Sequence, residues 1–140
     1  MNRSASAEWR GNLKEGKGQI STDSGVLSNT QYSFSTRFEN GKGTNPEELV
    51  AAAHAGCFAM ALSLILQEKG LTADVIQAKA TVSLEKVDGS FAVTKSHLTV
   101  SATIPGATKE AFDQATQTAK ANCPISKLLK AEVTMEATLN

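Results

Sequence analysis

Two thiols, one isolated guanidinium and a pair of neighbouring carboxylates are the side chains in this sequence best suited to chemistry. Cys57 and Cys123 are its only cysteines. The thiolate, not the thiol, is the nucleophile, and an unperturbed thiol with pKa ≈ 8.5 is only a few per cent ionised at pH 7. Cys57 sits in the middle of an apolar run, where a cysteine either packs as a small hydrophobe or waits as a sheltered nucleophile. Position alone leaves both readings open. Cys123 precedes Pro124 at the start of a predicted helix, so its thiol is expected to face free backbone N–H groups and the positive end of the helix dipole, which favour thiolate.

Arg37, in Ser35-Thr36-Arg37-Phe38, is the only arginine after residue 10. It falls near the end of a strand pattern, as a solvated strand charge or as a fixed cation. Glu47 and Glu48 suit the first turn of a helix as dipole partners and caps. His54, one turn before Cys57, reads as a satisfied core histidine or as a base for the thiol, and His97 gives no signal beyond a strand position. These histidines and cysteines lack the short paired spacings of structural zinc sites, so no metal is expected. Gly16-Lys17-Gly18 lies between two strand patterns instead of opening a helix, so no phosphate loop is read and no cofactor is expected.

The elements that must hold these groups follow from pattern. Short β-like runs over Ala7 to Leu13, Gly18 to Ser21 and Tyr32 to Phe38 are separated by turn residues and read as a meander. Asn45, Pro46 and Glu48 then mark a helix start, as cap, first position and capping-box partner. From Leu49 to Leu66 only His54 and Ser63 are clearly polar, which predicts a helix buried on all sides. A membrane span is the rival, but the run falls short of about 20 apolar residues and is mostly alanine, so no membrane is expected. Ala78, Ala80, Val82 and Leu84 alternate before the Asp88-Gly89 hairpin turn, and the returning strand changes register between Val93 and Leu98, which predicts a bulge near Thr94 to His97. Thr108 to Ala121 and Cys123 to Lys130 read as helices, and Ala131 to Leu139 as a last strand. The order βββ–α–ββ–α–α–β makes an α+β domain, with antiparallel sheets packed on a buried apolar helix.

Composition narrows the partners. A chain of 140 residues holds one domain, with Lys+Arg 14 balancing Asp+Glu 14. A neutral surface lacks the field that releases counterions from nucleic acid, so no nucleic-acid partner is expected. The polar start MNRSASAEWR has no apolar signal core, and two cysteines do not build a disulfide framework, so a cytoplasmic setting is expected. There a Cys57–Cys123 bond would be chemistry, not a staple.

Thr44-Asn45-Pro46-Glu47-Glu48-Leu49, then Ala52-Ala53-His54-Ala55-Gly56-Cys57-Phe58, then Asn122-Cys123-Pro124 resemble the osmotically inducible protein C and organic hydroperoxide resistance family. The likeness extends to Ser24-Gly25, Thr36-Arg37-Phe38-Glu39, the Lys86-Val87-Asp88 hairpin and Lys130-Ala131-Glu132-Val133. It implies an intertwined homodimer that reduces organic hydroperoxides and is re-reduced by dithiols, including those of dihydrolipoyl type. It places the reactive cysteine on Cys57, the resolving cysteine on Cys123, and the acidic and arginine partners on Glu47 and Arg37. In the organic-hydroperoxide-resistance branch the arginine comes from the first hairpin, where this chain has Lys17. Arg37 therefore matches the osmotically inducible branch.

The residues suit that chemistry. A guanidinium held by Glu47 would stabilise the Cys57 thiolate, whose attack on a peroxide leaves a sulfenic acid that Cys123 condenses to a disulfide. Apolar walls from Leu49, Phe58, Met60 and Leu64 would favour alkyl hydroperoxides over hydrogen peroxide. Ten residues of unbroken helix would set Glu47 about 15 Å from Cys57, so a break near Gly56 is expected. An all-apolar helix with little aromatic cover also predicts pairing with a second copy. The alternative in another class is a non-enzymatic stress protein that binds an apolar ligand.

Overall fold

A computed structural model describes residues 1–140. Contacts divide the chain into two compact units, 1–49 and 50–140.

In the first unit, β1 (Ala5–Arg10), β2 (Lys17–Thr22) and β3 (Thr30–Tyr32) form the expected antiparallel meander in that order. Glycine is required at position 18 of the middle strand. A Cβ there would lie 2.7 Å from the Trp9 ring and 2.4 Å from that of Tyr32, whose centroids stand 5.4 Å apart. The third run does not continue as strand to Phe38. Ser33 and Thr36 form a reciprocal capping box, and Phe34–Phe38 becomes a one-turn helix, α1, with Arg37 in its last turn. The local hydrogen bonds of Ser33 and Thr36 override the strand propensity of the aromatic residues. The start of α2 (Pro46–Glu68) also lies in this unit. Asn45 caps it through Oδ1, which accepts from the Glu48 N–H at 2.8 Å. Glu48 does not complete the predicted box, because its carboxylate accepts from the Thr44 hydroxyl.

In the second unit, β4 (Val75–Val87) and β5 (Ser90–Thr103) pair antiparallel through Asp88 and Gly89, both at positive φ. Ser83 pairs with Lys95 and Leu84 with Val93, which leaves Thr94 as the extra residue of the predicted bulge. α3 (Lys109–Asn122) is capped by Thr108, and α4 (Pro124–Leu128) follows it directly. β6 (Glu132–Leu139) joins β5 in parallel, a departure from the antiparallel expectation. The connection through α3 and α4 returns the chain to the end of the sheet at which β5 starts, as a parallel pair requires.

The core of this unit joins Phe58, Leu62 and Leu66 of α2 to Leu98, Val100, Ala102 and Ile104, and to Phe112, Ala115 and Ala119 of α3. The fold is mixed α+β, as expected, but α2 is buried along one stripe only. By length and composition it is apolar enough to cross a membrane. His54, Phe58, Leu62 and Leu66, spaced by four, are nevertheless fully buried within the core, while Met60 and Leu64 on other faces are 77% and 56% exposed.

Candidate active site

The second unit holds the thiols. Cys57 projects from α2 and is half-buried, and Cys123, at the junction of α3 and α4, is fully buried. The junction is fixed by the backbone: the Cys123 N–H donates to the Ala119 carbonyl at 2.9 Å, and its carbonyl accepts from the Lys127 N–H at 3.1 Å. Both thiols are free, and Cys123 donates to the Cys57 sulfur at 2.8 Å. The Cys123 sulfur does not cap α4, contrary to expectation. It is turned to Cys57, and it is the Cys57 sulfur that receives a backbone N–H, from Ile125.

Burial pushes the Cys57 thiol above its ordinary value, and the Cys123 contact adds to the rise, while the Ile125 N–H works against it. In this setting the neutral thiol is favoured, and a nearby cation would be needed to favour the thiolate. Beside it opens a groove of about 770 Å³, lined by Cys57, Met60, Leu64, Thr118, Asn122 and Pro124. Of the expected apolar walls, Met60 and Leu64 are present, whereas Phe58 is in the core and Leu49, the last residue of the first unit, does not line the groove.

The first unit holds the ion pair. Arg37 donates to Glu47 from Nε, at 3.1 and 3.2 Å to the two carboxylate oxygens, and from Nη2 at 2.8 Å. This two-nitrogen grip fixes the guanidinium plane as a lysine could not. Glu47 is the partner, since Glu48 is engaged by Thr44. Arg37 also lies 5.3 Å from the Phe38 ring centroid and shares a pocket of about 250 Å³ with Trp9, Leu13, Tyr32, Phe34 and Phe38. This aromatic lining was missed in the sequence, although Trp9, Tyr32, Phe34 and Phe38, most of the chain's few aromatics, fall within its first 38 residues.

Helix α2 runs from Pro46 to Glu68 without the predicted break. Gly56 lies within it at an ordinary φ, and a Cβ there would meet nothing within 4 Å. His54 is not the base of Cys57. Its Nδ1 lies 2.7 Å from the Ser96 hydroxyl and its Nε2 2.8 Å from that of Ser126, so the core-histidine reading holds, and its serine partners went unforeseen. Burial keeps its pKa below the ordinary value. His97, half-buried on β5, pairs with Thr134 at 2.6 Å and lies 3.7 Å from the Glu136 carboxylate, so it faces β6 and takes no part in the thiol site.

One helix thus presents a thiol to a second thiol at a helix junction, in a mixed α+β chain. The chain belongs to the OsmC-like protein family, whose model matches residues 39–138. Among its relatives, the peroxiredoxin OsmC of Escherichia coli is 52% identical over 136 residues, covering 97% of this chain and 95% of that protein. The organic hydroperoxide resistance protein OhrB of Bacillus subtilis is 29% identical, over 87% of this chain and 88% of its own. In fold, an OsmC-like protein of Vibrio cholerae superposes with a TM-score of 0.79 at 21% identity, over 99% of both chains. The solved structure of Bacillus subtilis OhrB gives 0.70 at 28% identity, over 98% of each. These likenesses place the chain in the OsmC branch and support a peroxidase-type, antioxidant function in general.

Proposed function

We propose that the chain is a two-cysteine peroxidase that reduces organic hydroperoxides to alcohols and is restored by a dithiol. The observation that carries this reading is the 2.8 Å contact between Cys57, which lines an apolar groove, and the buried Cys123. The Cys57 thiolate attacks the terminal peroxide oxygen, the O–O bond breaks, and the alkoxide takes a proton and leaves as alcohol. Cys57 is then a sulfenic acid. The Cys123 sulfur attacks it, water leaves, and a disulfide forms. A dithiol reduces that bond by two electrons and is itself oxidised to a disulfide.

The missing cation is supplied by Arg37, oriented by Glu47. Glu47 and Cys57 of one chain are ten residues apart on an unbroken helix, about 15 Å along its axis, so they cannot share one arginine. We therefore assign Arg37 and Glu47 to the Cys57 of a second subunit in a homodimer. Two features of α2 support pairing: Met60 and Leu64, outside the buried stripe, are exposed, and Gly56, in a helix interior where glycine costs about 1 kcal/mol relative to alanine, has open space before it. A dimer that closes over the groove would exclude water and strengthen the guanidinium–thiolate attraction.

The groove also suits a protein that only binds an apolar ligand. Steady-state consumption of cumene hydroperoxide with excess dithiol separates the two: an enzyme turns over many equivalents and Cys57→Ser abolishes turnover, whereas a binder consumes none. Full activity in Cys57→Ser would end the peroxidase reading.

A further inference from the structure

His54 and Ser126 form a second contact between the elements that carry the two cysteines. His54 and Cys57 are three residues apart on α2, and so are Cys123 and Ser126 across the start of α4. The His54–Ser126 hydrogen bond and the Cys57–Cys123 contact are therefore two rungs one helical turn apart. Helix α4 has five residues, none of them buried, and a helix of that length does not sustain itself. Its seat depends on what grips it from outside. Cys123 holds one end, and the His54 imidazole holds the hydroxyl of Ser126. The ring cannot drift with α4, because its other nitrogen is tied to Ser96 on β5.

If the proposed chemistry holds, the sulfur rung changes in every cycle: Cys57 gains an oxygen and then exchanges it for a bond to Cys123. The hydroxyl rung carries no redox group and stays intact throughout. We propose that His54, acting through Ser126, is a positioning residue that holds Cys123 within bonding range of Cys57 while the disulfide closes. This rests on the two-cysteine reading above.

The test uses DTNB in place of peroxide. The Cys57 thiolate displaces one thionitrobenzoate from the reagent to give a mixed disulfide, and the Cys123 thiolate then displaces the second and closes the Cys57–Cys123 bond. Two phases of thionitrobenzoate release thus separate labelling from closure. Ser126→Ala is expected to leave the first phase unchanged and to slow the second about two- to tenfold, the effect of one net hydrogen bond. Thr108→Ala, which removes the α3 cap, is the control for general loosening: it should lower the melting temperature without slowing closure. In a His54→Ala background, Ser126→Ala should slow closure no further. Should His54→Ala not fold, the first two variants decide. Wild-type closure in Ser126→Ala, or equal slowing by Thr108→Ala, would overturn the proposal. Because no peroxide is involved, a failed closure test and a failed peroxidase assay are separate results.

Discussion

Leu62 and Leu64 stand two residues apart on α2 in opposite surroundings. Leu62 is fully buried among β5 and α3, while Leu64 is 56% exposed along the groove that begins at Cys57. Identical side chains on one helix thus do different work. The stripe through His54, Phe58, Leu62 and Leu66 holds the second unit together, and the face through Cys57, Met60 and Leu64 lines an open groove. The comparison teaches that apolar residues in this helix are of two kinds, core-forming and groove-lining, and that only packing tells them apart.

Truncation should break the pair apart. Leu62→Ala removes a fully buried side chain from a closed core and should cost about 2–5 kcal/mol of unfolding free energy in a denaturant titration. Leu64→Ala, on the groove face that the proposed dimer closes over, should cost clearly less than Leu62→Ala and raise the KM for cumene hydroperoxide more than that for hydrogen peroxide. Equal losses of stability would mean that the groove face is packed in solution as tightly as the core.

A smaller effect sharpens the buried side of the comparison. Burial holds the His54 pKa below the ordinary 6.5. Above that pH the ring is neutral both in the fold and in the unfolded chain. As pH falls through 6.5 the unfolded chain takes up a proton that the folded chain refuses, and stability declines until the pH passes below the folded pKa. Melting temperature should therefore fall between about pH 7 and 5, and His54→Gln should flatten that part of the curve. An unchanged slope in His54→Gln would show that the ring is not kept neutral.

Much of this was legible in the sequence where one local signal dominated. Asn45-Pro46 fixed the start of α2, Asp88-Gly89 the hairpin, the change of alternation between Val93 and Leu98 the bulge, and Thr108 the start of α3. The failures arose where two signals competed or where the deciding partner is remote. The aromatic residues at 32, 34 and 38 suggest strand, but the reciprocal bonds of Ser33 and Thr36 win and carry Arg37 onto a helix. A helix apolar on every face gives no periodicity from which to choose the buried stripe, so complete burial was inferred where one line of residues is buried. Gly56 suggested a break, yet glycine only permits one, and the α2 hydrogen bonds continue through it. Ser96 and Ser126, as partners of His54, lie far away in the chain and carry no local mark. The cysteine, arginine and glutamate of the proposed chemistry were legible through their family pattern, whereas the bidentate grip of Glu47 on Arg37 required the fold.

The most direct test of the central claim, that Cys57 is the thiol oxidised by hydroperoxide and Cys123 the one that resolves it, is a single-turnover experiment on Cys123→Ser. The variant is mixed with one equivalent of cumene hydroperoxide in the presence of dimedone and then mapped by mass spectrometry. The account predicts release of one equivalent of cumyl alcohol and a dimedone adduct on Cys57 in near-stoichiometric yield. Hydroperoxide recovered intact with Cys57 unmodified would contradict it.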